Sequence, residues 1–278
     1  MEVFFCIALV AVLIYLWLIM PRLLPGRMKD FKGWYYAHRG LHDNRSEAPE
    51  NSVKAMELAV EHGYGIELDV QLTKDEKVVV FHDNTLKRVC GLNAKVNSMT
   101  YEELKQLRLL NSEEQIPLFS EILKIVDGKV PLIVEIKMVD SKTRICELAN
   151  KELEGYQGLY CMESFHPFAV QWYRKNRPDV VRGQLSANFR KEGQKERVQE
   201  WLVHQLLINV LGRPDFVAYS HKSAGNLGRR LTRLFGAVAV AWTIRSQEEL
   251  DRNRENFDLF IFEGFCPRDG KKYSKKIE

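Results

Sequence analysis

The sequence predicts an α/β fold, a (β/α)8 TIM barrel preceded by one N-terminal transmembrane helix. Short apolar segments rich in β-branched residues alternate with amphipathic segments eight times along the chain. Such alternation is typical of parallel βα units, and eight of these units close most naturally into a barrel of about 250 residues. No glycine-rich phosphate loop follows the first predicted strand, which disfavours an open doubly wound sheet.

The N-terminal segment is uncharged and apolar over Val3–Met20. As a helix it would be about 27 Å long, close to the thickness of the hydrocarbon core of a bilayer. A cleavable signal peptide would need a basic start and a small-residue cleavage site, whereas this chain begins Met1-Glu2 and continues into Leu24-Pro25-Gly26. We therefore predict a transmembrane anchor over residues 1–21 and a basic juxtamembrane segment over 22–33.

Charge and cysteine usage predict the compartment and exclude some partners. The basic residues near the span all follow it, and basic flanks stay in the cytoplasm, so we expect a single-pass protein with a cytoplasmic globular part. The five cysteines are scattered without CxxC spacing, which argues against a disulfide framework or a zinc site. The net charge of +4 comes without a dense basic stripe, so we expect no nucleic-acid partner. No pattern in the sequence indicates an oligomeric state.

The predicted elements follow one another in a regular order. The eight strands are expected at Trp34–His38, Gly65–Val70, Leu132–Ile136, Leu159–Ser164, Val180–Leu185, Phe216–Ser220, Ala237–Thr243 and Leu259–Phe262. The helices between them are expected at Asn51–His62, Phe119–Val126, Lys142–Glu154, Pro167–Asn176, Glu196–Leu211, Ala224–Phe235 and Gln247–Asn256. These elements predict a barrel domain over residues 34–270 that contains a small insertion at 84–115 and is followed by a basic tail at 271–278.

Two carboxylates, Glu67 and Asp69, lie one residue apart in the second predicted strand. Side chains alternate along a strand, so both point to the same face, where like charges raise each other's pKa unless a cation lies between them. A hard divalent cation, which prefers oxygen ligands, suits that position. A turn at Thr73–Lys77 and an extra strand at Val78–His82 would return His82 to the level of the two carboxylates. The alternative is an outward-facing acidic pair that binds basic side chains.

Other polar residues are predicted at the C-terminal ends of strands, where barrel enzymes place their chemistry. They are His38-Arg39, Glu135, Lys137, Glu163, Trp242 and Glu263. Charges inside a barrel are costly unless they are paired. We therefore expect the carboxylates, the two cationic residues and the two histidines to neutralise one another around a bound cation and a bound anion.

Six short motifs, in order, resemble the signature of the glycerophosphodiester phosphodiesterase family, and the anchor makes the chain similar to a membrane-anchored bacterial-type member. The motifs are His38-Arg39-Gly40, Pro49-Glu50-Asn51-Ser52, Glu67-Leu68-Asp69-Val70, Phe81-His82-Asp83, Glu135-Ile136-Lys137 and Trp242-Thr243. The resemblance implies a TIM barrel that hydrolyses glycerophosphodiesters with one divalent cation, Mg²⁺ or Ca²⁺. In this family the attacking group can be the glycerol hydroxyl next to the phosphate, and its attack gives a cyclic phosphate that water later opens.

The resemblance also implies roles for individual residues. The metal ligands would be Glu67, Asp69 and Glu135. His38 and His82 would be the acid–base pair, without an assignment of which is the acid and which is the base. Arg39 and Lys137 would bind the phosphate. We further expect Trp242 and Glu263 to line the substrate pocket, and Glu50, Asn51 and Asp83 to support the ligands from behind. Asn51 is in addition the predicted N-cap of the helix that follows it.

The expected substrates are deacylated phospholipids or lysophospholipids, that is, small-molecule or lipid phosphodiesters. Two alternatives remain open: a phospholipase-D-like lyase whose final product is a cyclic phosphate, and a non-catalytic barrel that binds phosphodiester headgroups. The chain departs from the family pattern in the extended polar loop 41–48, at Arg245, and at Glu263, where many members have aspartate. These departures concern the part of the site that would receive the alcohol.

Overall fold

A computed structural model of the chain describes residues 1–24 and 26–268. Nine strands occur in this described part: β1 (Tyr35–His38), β2 (Gly65–Leu72), β3 (Val78–Val80), β4 (Leu132–Ile136), β5 (Tyr160–Ser164), β6 (Val181–Ser186), β7 (Phe216–Ser220), β8 (Val238–Ile244) and β9 (Leu259–Phe262). All except β3 form one parallel sheet, which closes because β1 pairs with both β2 and β9. The predicted eight-stranded barrel is confirmed. The basic tail predicted at 271–278 lies outside the described residues.

The α-helices of the described part pack around this barrel, except that most of the first one extends away from it. They are α1 (Glu2–Ile19), α2 (Val53–Glu61), α3 (Lys87–Cys90), α4 (Tyr101–Leu104), α5 (Phe119–Val126), α6 (Arg144–Leu153), α7 (Pro167–Asn176), α8 (Val198–His204), α9 (Asn209–Gly212), α10 (Leu227–Leu234) and α11 (Gln247–Asn253). We call the end of the barrel at which the strands finish the mouth, and the end at which they begin the foot.

Side chains point alternately outward and inward along each strand, and the apolar ones form two layers, one between the sheet and the helices and one inside the barrel. On β2 the side chains of Ile66, Leu68 and Val70 belong to the cluster between the sheet and the helices, so Glu67 and Asp69 face the barrel interior. A second cluster fills the interior near the foot and contains the first inward-facing residue of most strands. Polar side chains are therefore concentrated in the interior near the mouth.

The predicted hairpin on the second strand is present. Antiparallel pairing of β3 with the end of β2 aligns Val80 with Val70, and the Phe81 amide donates to the Asp69 carbonyl over 3.0 Å. The side-chain amide of Gln71 donates to the carbonyls of Phe81 and Asp83 over 2.8 and 2.9 Å. These bonds fix the segment that carries His82. The insertion after it packs around its own apolar cluster.

Helix α1 is long and apolar enough to span a membrane, with a mean hydropathy of 2.6, and is the one such helix in the described residues. Its last turn is docked against the barrel. The Asn209 side chain donates to the carbonyl of Ile19, and Arg213 donates to the carbonyls of Trp17 and Met20 over 2.7 and 2.8 Å. The chain then passes under the foot, where Phe31 is buried.

Two helix predictions are wrong in detail. The single helix predicted at Glu196–Leu211 is divided into α8 and α9, because Leu206 between them has a left-handed backbone with a φ of 59°. Asn51 is not the N-cap of α2: its own φ is 59° and its side chain is used elsewhere, so Ser52 caps the helix by accepting from the Ala55 amide. The capping box of Thr100 and Glu103 on the short helix α4 is present.

Gly40 positions the loop that carries His38 and Arg39, and we expect Gly40→Ala to destabilise the protein. The φ of Gly40 is +80°, and an added Cβ would lie 2.8 Å from the carbonyl carbon of Ala55. The left-handed backbone and the backbone clash together should cost about 2–5 kcal/mol of unfolding free energy, measured by denaturant titration.

Gly193→Ala is the matched control. Gly193 has a φ of +77° but no atom within 4 Å of an added Cβ, so this variant carries only the cost of the left-handed backbone, about 1–2 kcal/mol. Equal losses of stability in the two variants would contradict the close approach at Gly40.

Candidate active site

Three carboxylates meet inside the barrel near the mouth. Glu67 and Asp69 come from β2 and Glu135 from β4, and strand register places Asp69 directly beside Glu135. All three are buried, and one carboxylate oxygen from each lies within 4.8 Å of the others. The set predicted to bind a metal is thus brought together in the geometry of an oxygen-ligand site.

The cluster is electrostatically strained. Burial, helped by the charge of Asp69, raises the pKa of Glu67 well above its usual range. Burial also favours the neutral form of Asp69, but the positive charges of Lys137 and its neighbours outweigh it and hold the pKa of Asp69 well below its usual range. Because neighbouring carboxylates are pushed in opposite directions, a further positive charge is needed for all of them to be ionised together.

Two cationic side chains flank the carboxylates. The Lys137 Nζ lies 3.1 Å from Asp69 Oδ1 and 2.8 Å from Glu135 Oε1. The Arg39 Nε lies 3.5 Å from Asp69 Oδ2, and its Nη1 lies 2.5 Å from Glu50 Oε1. The charges of these carboxylates raise the pKa of Lys137 against the opposing effect of burial. Lys137 therefore stays protonated inside the barrel.

Charge balance provides a test of whether a divalent cation fits. Glu163 is counted as neutral, because burial and the charge of Glu135 raise its pKa well above the usual range. Among the other described residues of the site and its supports, six carboxylates face four fixed cations. The carboxylates are Glu50, Glu67, Asp69, Asp83, Glu135 and Glu263, and the cations are Arg39, Arg88, Lys137 and Arg245. With all six ionised, the excess of two negative charges equals the charge of one Mg²⁺ or Ca²⁺, and the donor set consists of the hard oxygen atoms that these ions prefer.

His38 lies at the end of β1, beside Glu67 in the register. Its Nδ1 is 2.5 Å from Glu263 Oε2, and its Nε2 is 3.8 Å from Glu67 Oε2. Burial and the nearby Arg39 lower the pKa of His38 to about 4, although Glu263 acts in the opposite direction. Burial alone would raise the pKa of Glu263, but His38 and Arg245 lower it to about 2. Near neutral pH the ionised Glu263 therefore accepts the Nδ1–H of a neutral His38, which leaves the Nε2 lone pair free.

His82 follows the hairpin strand β3 and lines the cavity that contains Glu135 and Lys137. Its Nδ1 is 2.6 Å from Asp83 Oδ1, and its side chain is partly exposed. Arg88 donates to Asp83 through two nitrogens at 2.7 and 2.8 Å, and to both oxygens of Glu50 at 2.7 Å. Asp83 is thereby held ionised, with its pKa below its usual range despite partial burial.

Arg88 is a site residue that the sequence did not predict. It lies in the short helix α3 of the insertion and belongs to no motif. Its two carboxylate partners, Glu50 and Asp83, were predicted supports, and only the fold brings the insertion over the mouth where one guanidinium can reach both. The predicted support Asn51 lies behind the cluster, where its amide donates to Asp69 Oδ2 over 2.9 Å.

Glu163 was noted at a strand end but given no role. It lies beside Glu135 in the register and is 1% exposed, and burial together with the charge of Glu135 raises its pKa well above the usual range.

The predicted pocket residues, Trp242 and Glu263, lie further round the barrel. Trp242 packs edge-to-face on Phe165 at a centroid distance of 5.5 Å, and Glu263 contacts His38 and Arg245.

A cavity of about 1180 Å³ opens from the carboxylates toward α7 and α8. Its inner end contains His82, Glu135 and Lys137. Its outer part is lined by the apolar residues Phe165, Phe168, Phe189, Leu202, Ile208 and Leu211, with the polar residues Asp140, His166, Arg197, Gln199 and Glu200 among them. The volume exceeds the roughly 300–1,000 Å³ typical of sites for drug-sized ligands. The site thus combines a charged end with a long apolar extension.

The profile of the Glycerophosphoryl diester phosphodiesterase family matches residues 38–256, which is more than half of the chain. This chain belongs to that family. The match begins at His38 and includes every residue predicted for the acidic cluster. The predicted family is confirmed, and with it the enzyme class, a phosphoric diester hydrolase.

Individual relatives agree with this assignment. A glycerophosphodiester phosphodiesterase of Bacillus altitudinis is 36% identical over 157 residues, which are 52% of this chain and 63% of the relative. One of Caldanaerobacter subterraneus is 29% identical over 229 residues, 78% of this chain and 87% of the relative. A phosphodiesterase of Oleispira antarctica has been solved in complex with the product sn-glycerol-3-phosphate. It superposes with a TM-score of 0.68 over 84% of this chain and 94% of its own. The sequence identity is 22%, so this similarity shows the shared fold.

The contacts of Glu50 predict how stability depends on pH. Burial would raise the pKa of Glu50, but the hydrogen bonds from Arg88 and the charge of Arg39 outweigh it and lower the pKa to about 2. A folded-state pKa below the unfolded value stabilises the protein above the unfolded pKa, and this stabilisation is lost as pH falls through 2. We expect Glu50→Gln to lower the unfolding free energy by about 2–3 kcal/mol at pH 7 and by about half as much at pH 3.

Denaturant titrations of the wild type and the variant at the two pH values measure this difference. Glu57→Gln is the control, because Glu57 is exposed on the adjacent helix α2. It should change stability by less than about 0.5 kcal/mol at either pH. A Glu50→Gln effect that does not shrink between pH 7 and pH 3 would show that the charge of Glu50 is not what stabilises the fold.

Proposed function

We propose that this protein hydrolyses glycerophosphodiesters to an alcohol and glycerol phosphate, with one divalent cation, Mg²⁺ or Ca²⁺, held by Glu67, Asp69 and Glu135. The observation that carries the proposal is the buried carboxylate cluster, with Arg39 and Lys137 beside Asp69, His38 near Glu67, and His82 lining the same cavity as Glu135. When bound, the cation would neutralise phosphate charge and stabilise the charge that develops in the transition state.

Arg39 and Lys137 would bind the phosphodiester. Each now contacts a carboxylate of the cluster and points a donor toward its centre. The planar guanidinium of Arg39 offers two parallel donors to phosphate oxygens, while Lys137 supplies a point charge. Glu50, which is itself bound by Arg88, holds the Arg39 side chain on one side, so that it is oriented before the substrate arrives.

The two histidines would divide the proton transfers. His38 is neutral near pH 7 and its Nε2 lone pair is free, so we assign it the acceptance of a proton from the attacking hydroxyl. The charge of a bound cation would keep His38 neutral as well. His82 is oriented through Nδ1 by an ionised Asp83 and lines the cavity beside Glu135 and Lys137, so we assign it donation to the leaving alkoxide.

We further propose that residues 1–21 anchor the protein in a membrane and that the barrel, residues 34–270, lies in the cytoplasm. The apolar α1 supports the anchor, and the basic residues that follow it support the orientation. The lipid environment and the apolar extension of the cavity favour lysophospholipids over deacylated phosphodiesters as substrates, because an acyl chain needs such a surface in order to leave water.

Purified full-length protein should cleave glycerophosphocholine, glycerophosphoethanolamine or a lysophospholipid when Mg²⁺ or Ca²⁺ is present, and EDTA should abolish the reaction. His82→Ala should lower kcat by about 10²–10⁴-fold, since a general acid is worth that much. Product identification distinguishes glycerol phosphate from a cyclic phosphate as the final species.

His62→Ala is the matched control, because His62 is exposed at the end of α2 and away from the cluster. It should keep wild-type activity. Full activity of His82→Ala, or cleavage undiminished by EDTA, would overturn the proposed mechanism. Absence of turnover with every phosphodiester together with tight binding of the substrates would instead favour a headgroup-binding barrel.

Phe189→Ser tests the preference for an acyl chain. Phe189 lines the apolar extension, away from the carboxylates, and packs against Phe165 at a centroid distance of 5.9 Å. Loss of this apolar surface should lower kcat/KM for a lysophospholipid by about tenfold, as expected for one large buried side chain. Turnover of glycerophosphocholine by the same variant is the internal control and should not change. Equal losses for both substrates would contradict an acyl-chain site in this cavity.

A further inference from the structure

The rim of the mouth carries an exposed apolar surface on one side. In the described part after residue 20, nine large apolar side chains are exposed, and five of these follow the C-terminal ends of the four consecutive strands β4 to β7. We call these five residues the apolar rim: Val139, Phe168, Val198, Trp201 and Leu227. Such clustering on a surface otherwise in water indicates an interaction site.

Cationic side chains accompany the apolar rim. Lys142, Lys191, Lys195 and Arg230 are exposed in the same segments and form no ion pair within residues 1–24 and 26–268. The acids in the loop before α8 and in α8 itself are already paired, Glu192 with Lys222, Glu196 with Arg190 and Glu200 with Arg197. Apolar side chains flanked by long unpaired cations suit the phosphate-bearing surface of a bilayer.

The direction of α1 gives an independent indication of the same surface. Its last residues contact Arg213, just before β7 and so at the foot. Tyr15 is four residues before Ile19, and its hydroxyl lies 3.4 Å from the position that a Cβ on Gly228 would occupy. Gly228 is in the first turn of α10, which is the end of that helix nearer the mouth. Traced backwards, α1 thus rises from foot to mouth, and Glu2–Ile14 continue beyond the barrel on the side of the apolar rim.

The length of α1 then limits how far the barrel can be from the membrane. The free part, Glu2–Ile14, is about 20 Å long, shorter than the roughly 30 Å hydrocarbon core. If α1 spans the bilayer, the membrane must extend down to the level of Tyr15, Leu16 and Ile19, which pack against the barrel. The first turn of α10 and its neighbours would then lie in the headgroup layer.

We propose that the apolar rim docks into the headgroup layer of a phospholipid bilayer, so that the mouth of the barrel opens onto the membrane surface. The proposal rests on the membrane anchor proposed above, and it does not depend on which reaction the site performs. A lipid phosphodiester would then reach the carboxylate cluster from the headgroup layer through the apolar part of the cavity. The outer, solvent-facing end of the protein would be the foot.

Leu227 and Leu234 provide a matched test on one helix. They are seven residues apart on α10, hence on the same face, at its mouth and foot ends, and both are largely exposed. Nitroxide labels at Leu227→Cys, Trp201→Cys, Leu234→Cys and Leu92→Cys would be compared in the full-length protein in phospholipid nanodiscs. The background would lack the exposed Cys6 and Cys266.

The ratio of collisions with oxygen to collisions with a water-soluble nickel complex reports immersion of each label. We expect this ratio to be raised at positions 201 and 227 and to stay at its aqueous value at 92 and 234. Aqueous values at all four positions, or a higher ratio at 234 than at 227, would overturn the proposal. Because the measurement needs no turnover, a failure here is distinct from a failure of the proposed hydrolysis.

Discussion

Burial of like charges at one level of the barrel is the constraint on which the site depends. Strand register places Asp69, Glu135 and Glu163 side by side, and Glu67 is two residues away on the same face. These groups can be ionised together only if positive charge is supplied inside the barrel. Lys137 and Arg39 supply part of it, Glu163 avoids the conflict by a raised pKa, and the remaining imbalance matches a divalent cation.

The surrounding network gives two similar imidazoles different properties. His38 is enclosed and close to Arg39, so burial dominates and the ring stays neutral. His82 is partly exposed and its carboxylate partner, Asp83, is shared with Arg88. The same Arg88 also binds Glu50, which in turn holds Arg39. The support of Arg39 and the support of His82 are therefore coupled through the single guanidinium of Arg88 from the insertion.

The proposed anchor, the cavity and the apolar rim are consistent with one another as parts of the proposed lipid-facing site. The cavity leaves the carboxylates in the direction of α7 and α8, where the apolar rim lies, and α1 rises past the neighbouring α10. An anchor attached at the far side of the barrel would hold the mouth away from the bilayer. Asn209 and Arg213 bind the last turn of α1 and so fix which face of the barrel would be turned toward the proposed membrane.

The sequence by itself determined the barrel, the hairpin and the carboxylates of the cluster, because each of these follows from the periodicity of a strand or from a motif only a few residues long. It also indicated that Glu50, Asn51 and Asp83 are supports. The tertiary structure alone decided the pairing of His38 with Glu263, 225 residues away, the bridging position of Arg88 and the course of the cavity. It also moved the helix cap from Asn51 to Ser52, because the contact with Asp69 overrides local preference. Contacts between distant segments depend on how the strands close into a barrel, and no local pattern encodes that closure.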